Sequence, residues 1–167
     1  MISDMTGPDV ARVIEIEKLS FTHKWSLNDF TSEVLNPDSI CKMACLGDGR
    51  AIAIGYICVR MMVDEAHILR LAVHPAFRQR RVGSLLVKYI KDEVLRDFKG
   101  KIILEVRMSN MAAIRLYDSL GFKNLYIRRH YYAGPEEDAI VMAFDLDNRG
   151  WPIGESFQSC PSEHRCL

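Results

Sequence analysis

Apolar residues at Val10, Val13, Ile14, Ile16 and Leu19 recur at helical spacing, and Pro8 suits a first turn, so a helix is predicted up to about Phe21. Ile2 to Met5 before it reads as a short strand. Ser26 can cap a second helix, with Asp29 placed to return the bond, and Asn36-Pro37 ends it. The pattern then changes period. "ICKMACL" and "AIAIGYICVRMMV" are strand-like runs on either side of "GDGR", a hairpin signal, and after Asp64-Glu65 the run "AHILRLAVHP" predicts a third antiparallel strand ending at Pro75. From Val82 to Phe98 the helical period returns, with Val82, Leu86, Tyr89, Ile90, Val94 and Phe98 on one face and Gly100 as the stop. "KIILEVR" predicts a strongly apolar strand, Asn110 to Leu120 a helix closed by Gly121, and "FKNLYIRRHYY" and "DAIVMAFDL" two last strands joined by "AGPEE". This order predicts an α/β (α+β) domain in which a mixed, mostly antiparallel sheet is flanked by helices. Periodicity is lost after Leu146, so the domain is expected over 1–146, with 147–167 a tail that is mobile or docked through Trp151 and Phe157.

Composition narrows the function classes. A chain of 167 residues suits one domain with a real core. Its net charge is zero, whereas a nucleic-acid binder carries a basic excess, so no nucleic-acid partner is expected. No run approaches the ~18 apolar residues of a membrane span. "MISDMTGPDV" has neither a basic nor an apolar segment of a secretory signal, so the expected location is cytoplasmic. The five cysteines are then expected as reduced thiols, Cys41, Cys45 and Cys58 in the core. Cys160, Cys166 and His164 fit no standard zinc spacing, and no metal is expected.

Against this neutral background "FRQRRVGSLL", Phe77 to Leu86, stands out. It is either solvated loop charge or an anion site, because it lies between a strand and a helix whose first amides point outward along a positive dipole. No Gly-Lys-Ser/Thr follows and no Gly-x-Gly-x-x-Gly is present, which excludes the two common nucleotide loops. Glu105 lies mid-strand opposite Leu104 and Val106. It is either a base whose pKa is raised by desolvation or the partner of Arg107 or another arginine. Tyr117 is a core aromatic or a proton donor, and Asn110 is a helix cap. His67 and His74 are rival bases, His74 alternatively a capping residue before Pro75.

"RLAVHPAFRQRRVGSLLV" resembles the cofactor motif of the GCN5-related N-acetyltransferases, Gln/Arg-x-x-Gly-x-Gly/Ala between the fourth strand and third helix. The resemblance implies that fold, with about seven strands, about four helices and a splay between strands 4 and 5. It implies acetyl-CoA as donor, with CoA released. The pyrophosphate would lie on Arg78, Gln79, Arg80, Arg81, Val82, Gly83 and Ser84, and the pantetheine and acetyl group along Leu71, Ala72 and Val73. Arg81 stands where the family usually has its first glycine. "LEVRMSNMAAIRLYDSLGF", "IRRHYY" and "EDAIVMAFDL" closely resemble the RimI type, the ribosomal-protein-alanine N-acetyltransferases, and "KWS" resembles their Pro-Trp-Ser with Lys24 for the proline. That closer likeness implies Glu105 as base through water, Tyr117 as acid at the CoA sulfur, and Asn110 on the pantetheine. Trp25, Tyr131 and Tyr132 would wall the acceptor site. The implied reaction is direct transfer of acetyl to a protein N-terminal α-amine, of the ribosomal-protein alanine type, by a monomer or weak dimer. A lysine or small-amine acceptor, or acyl-CoA binding without turnover, stays open.

Overall fold

The computed structural model describes residues 1–47, 52–63, 65–97 and 100–145. Strand β1 (Ile2–Asp4) leads through a single 3-10 turn into helix α1 (Val10–Ser20), followed by α2 (Leu27–Leu35). The predicted cap of α2 is present: the Asp29 amide donates to Ser26 Oγ at 3.2 Å and the Ser26 amide to Asp29 Oδ2 at 2.6 Å. β2 (Ser39–Leu46), β3 (Ile52–Met61) and β4 (Glu65–Val73) form the meander. Then come α3 (Val82–Asp97), β5 (Lys101–Arg107), α4 (Met111–Ser119), β6 (Lys123–Ala133) and β7 (Glu136–Asp145).

All seven strands join one sheet in the order β1-β2-β3-β4-β5-β7-β6. Every neighbouring pair is antiparallel except β4 and β5. Those two run parallel and pair only over Glu65↔Lys101, Ala66↔Ile102 and His67↔Ile103. Beyond that point Ile68 to Val73 and Leu104 to Arg107 diverge, so the sheet opens along a gap. Backbone groups facing a gap lack ladder partners and are free for an extended ligand.

Helices α3 and α4 cover one face with a core of Leu86, Val87, Ile90, Leu104, Val106 and Phe122. The other face packs on α1 and α2 through Val13, Ile16, Phe30, Met43 and Tyr56. The α1 stripe departs from the predicted one at its end. Leu19 is exposed, and Glu17, one helical turn beyond Val13, points inward instead. Tyr89 lies at the margin of the α3 face and is 40% exposed, while Val87 is buried. Cys41, Cys45 and Cys58 are buried and lie outside any disulfide, as expected. The last hairpin turns at Gly134-Pro135 alone. The acidic run after it belongs to β7 and is paired: Glu137 with Arg107, Asp138 with Arg129, Glu136 with His130. Phe98, Trp151, Phe157 and the tail cysteines lie outside the described residues.

No helix among the described residues is long and apolar enough to cross a membrane, and they hold no cluster of metal-binding side chains.

Candidate active site

The arginine loop closes the end of β4 and opens α3. Its backbone takes two left-handed steps, Gln79 with φ 60° and Arg81 with φ 63°. Arg81 therefore adopts the conformation that a glycine would supply, at a cost of about 1 kcal/mol or more for an L side chain. Leu85 is the residue whose amide reaches the Arg81 carbonyl, so the amides of Val82, Gly83 and Ser84 have no helical acceptor four residues back. Gly83 has a packing reason as well: a Cβ there would lie 3.3 Å from Leu116 Cδ2 and 3.7 Å from Val73 Cγ2. Arg78 turns back into the protein. Its Nε donates to the Val73 carbonyl at 3.1 Å and its Nη2 to Ser20 Oγ at 3.2 Å, tying the loop to β4 and α1. Arg80 lies over the Phe77 ring, 5.4 Å from its centroid. His74 caps the turn at Pro75, accepting from the Ala76 amide through Nδ1 at 3.2 Å, which is the capping alternative raised above.

Strand alternation sets the rest. Leu104 and Val106 join the α3/α4 core, so Glu105 and Arg107 project toward the α1/α2 side. Glu105 lies two residues past the last position of β5 that pairs with β4, at the beginning of the gap. Both its oxygens are engaged: His67 Nε2 lies 2.9 Å from Oε2, and Arg128 Nη1 donates to Oε1 at 2.8 Å. The expectation of a raised pKa is overturned. Burial does push Glu105 up, but the hydrogen bond and charge of His67, with Arg128 behind them, outweigh it, and the carboxyl falls below its ordinary 4.5. His67 moves the other way: its bond to Glu105 lifts the imidazole above 6.5, against desolvation and the charge of Arg128. Arg107 is not the partner of Glu105. It pairs with Glu137 at 3.1 Å, donates to the Pro135 carbonyl at 3.0 Å and lies 4.0 Å from the Tyr132 ring centroid.

Tyr117 approaches from the opposite face. It belongs to the α3/α4 core, 5.4 Å from Phe122 between ring centroids, and burial pushes its phenol pKa well up. A phenol held that way stays protonated at neutral pH. Asn110 caps α4, its Oδ1 accepting from the Ala113 amide at 3.1 Å.

The α1–α2 connection carries Trp25, which stacks edge-on against Phe30 at 5.1 Å. The Trp25 amide donates to Glu17 Oε1 at 2.8 Å. Glu17 is fully buried and also takes Tyr56 Oη and the Arg70 guanidinium, which lies 3.8 Å from the Phe21 ring centroid. His23 Nε2 is 2.9 Å from the Gly134 carbonyl, so this loop meets the β6–β7 hairpin. Tyr131 and Tyr132 stack on each other there at 5.0 Å, where a register shift and His130 at φ 50° bend β6.

A family model described as "Acetyltransferase (GNAT) family" matches residues 10–122, which spans the gap and both elements beside it. The chain belongs to that family. It is an acyltransferase whose donor is acetyl-CoA. It is 34% identical over 147 residues to the ribosomal protein bS18-alanine N-acetyltransferase of Salmonella typhimurium, covering 87% of this chain and 97% of the relative. An N-alpha-acetyltransferase of Sulfurisphaera tokodaii is 30% identical over 83% of this chain and 88% of its own. The crystal structure of the Escherichia coli ribosomal-protein-S18-alanine N-acetyltransferase superposes with a TM-score of 0.80 at 30% identity, covering 93% of this chain and 99% of the other.

The acetyltransferase thus places Glu105 at the start of the gap and Tyr117 in the core on the opposite face of the sheet, with the amide-rich loop at the end of β4. Sequence reasoning gave no role to Glu17, Arg70 and Arg128. One signal was available for Glu17, whose spacing from Val10 and Val13 continues the apolar stripe.

Proposed function

We propose that this acetyltransferase transfers acetyl directly from acetyl-CoA to the N-terminal α-amine of a protein, with an alanine-starting ribosomal protein as the acceptor class. The placement of Glu105 at the start of the β4–β5 gap, with Tyr117 on the opposite face of the sheet, carries this reading. Amine and thioester must meet in the plane of the sheet, one side losing a proton and the other gaining one. Glu105 is the base on the acceptor side, drawing the proton through water, because an α-ammonium with a pKa near ~8 is mostly unreactive at neutral pH. Tyr117 holds a phenolic proton on the side where the thiolate leaves.

The loop fits a diphosphate. The α3 amides, the left-handed turns at Gln79 and Arg81 and the Arg80 guanidinium form a cationic cradle, and Arg78 braces it from behind. Leu71, Ala72 and Val73 line the gap where a pantetheine amide can bond as an added strand would, with Asn110 at the far side. Trp25, Tyr131 and Tyr132 wall the acceptor. The relatives' names support the acceptor class, and Cys41, Cys45 and Cys58, outside any disulfide, agree with a cytoplasmic setting.

Mass spectrometry of peptides treated with the purified enzyme and acetyl-CoA tests the acceptor. Acetylation at the α-amine of alanine-starting peptides is expected, and acetylation confined to internal lysines or to small amines would refute it. Arg81→Gly keeps the amide and removes the left-handed strain. The melting temperature should therefore stay close to that of wild type, since the strain relieved and the chain entropy added are both about 1 kcal/mol and both act on folding.

A further inference from the structure

Glu105 does not stand alone. His67 is the last residue of β4 paired with β5, and its imidazole meets Glu105 Oε2 at 2.9 Å on the acceptor side of the sheet. Its side chain is 25% exposed and that of Glu105 11%. Arg128 holds the other oxygen from β6 at 2.8 Å. We propose that His67 and Glu105 act as one proton-accepting unit, with His67 the positioning residue that sets when the carboxylate can take a proton. The proposal rests on Glu105 being the base.

Both oxygens of Glu105 are hydrogen-bonded in its charged form, which makes an isolated carboxylate there a weak base. The imidazole corrects this. With His67 neutral, Nε2–H donates to Oε2 and the pair carries one negative charge. One proton leaves the acceptor ammonium for the His67–Glu105 pair, which becomes neutral overall. The freed electron pair on nitrogen forms the C–N bond as the C–S bond breaks. The sulfur leaves as the CoA thiol with the Tyr117 proton, and the nitrogen's second proton passes to solvent, which restores the phenol. The first proton belongs to the pair and titrates with it, at a midpoint raised from that of an ordinary imidazole. Other charges facing the pair act on the same equilibrium. Glu65 on β4 favours the protonated imidazole and Arg128 on β6 opposes it. Arg60, the β3 register partner of His67, is held by Glu33 and Ser39. Arg107, next along this face of β5, is neutralised by Glu137, and Tyr132 of β6 also senses Glu105, its phenol pushed up to about 12 by burial and by Tyr131 before that carboxylate.

The test is the pH dependence of kcat with saturating acetyl-CoA and an alanine-starting peptide. In the wild-type enzyme kcat should fall as pH drops through a midpoint above 6.5, because below it the pair already holds its proton. In His67→Gln the amide still donates to Oε2, so kcat should fall only about tenfold, below the range typical of losing an acid–base group. Its acid limb should move down by a pH unit or more. An unchanged midpoint in His67→Gln would sink the proposal whatever its kcat, since a merely structural histidine would leave the limb in place. If Glu105→Gln kept full turnover, the assignment of the base would fall and the pair with it. If Glu105→Gln abolished turnover while His67→Gln kept the wild-type limb, the pair alone would fall. Should His67→Gln not fold, the ring resonances of His67 followed by NMR in wild type and Glu105→Gln decide the matter. The midpoint must drop on losing the carboxylate, and a constant midpoint overturns the proposal.

Discussion

Glu105→Gln is expected to lower kcat at least ~100-fold while the protein stays folded, and Tyr117→Phe to do the same, the low end of general acid–base contributions. The glutamine keeps the size of the side chain and an oxygen for Arg128, so the strand and its neighbours have no reason to move. What is lost is a negative oxygen able to receive the amine proton at the start of the gap. Tyr117 is buried among Phe122 and the α3/α4 core, so phenylalanine fills the same space and removes only the hydroxyl. Steady-state acetylation with a peptide acceptor, alongside a circular-dichroism melt, separates chemistry from folding. Rates within a few-fold of wild type in both variants would remove these two residues from the reaction. A fall in both, with CoA binding unchanged by calorimetry, would place their effect on the chemical step.

Arg70→Met should cost stability instead. Glu17 is fully buried, and the side chain of Arg70 is 17% exposed. Removing the guanidinium leaves a carboxylate inside the α1/β3/β4 packing with only the Tyr56 hydroxyl and the Trp25 amide as partners. Breaking a buried pair from one side costs about 3–5 kcal/mol, because the remaining charge keeps its desolvation penalty. For a domain of this size that is on the order of 10 °C in Tm. Pairing Arg70→Met with Glu17→Gln should recover much of the loss, since no buried charge then remains. Equal melting of the single variant and wild type would show that the buried pair adds nothing to stability. Arg70 also holds the His23 carbonyl, so the single variant should raise KM for the peptide acceptor more than for acetyl-CoA.

The helix and strand periods, the Ser26 cap, the strand–loop–helix around Arg81 and the reading of a mixed sheet with a gap were legible along the chain because each depends on neighbours within a few residues or on recognisable motifs. The proton chemistry of Glu105 was not. Desolvation alone points its pKa upward. The direction reverses because His67 and Arg128, 38 and 23 residues away in the chain, are brought against it. The same holds for Arg78, whose bonds to Val73 and Ser20 do not follow from its place in the loop. Glu17 is an intermediate case: its spacing marks it as inward-facing, but which cation meets it does not follow from spacing.

By itself the sequence determined the elements, their order, the two amphipathic faces that must sandwich a sheet, and the motif that marks an acyl-CoA enzyme. Only the tertiary structure decided the order β5-β7-β6, the point after His67 where β4 and β5 part, and the partners of Glu105. Periodicity is a local property of one segment in its own stretch of solvent and core. Pairing between charges is a property of the three-dimensional distance between segments, and strong electrostatic coupling at a few ångströms can reverse what burial alone would do.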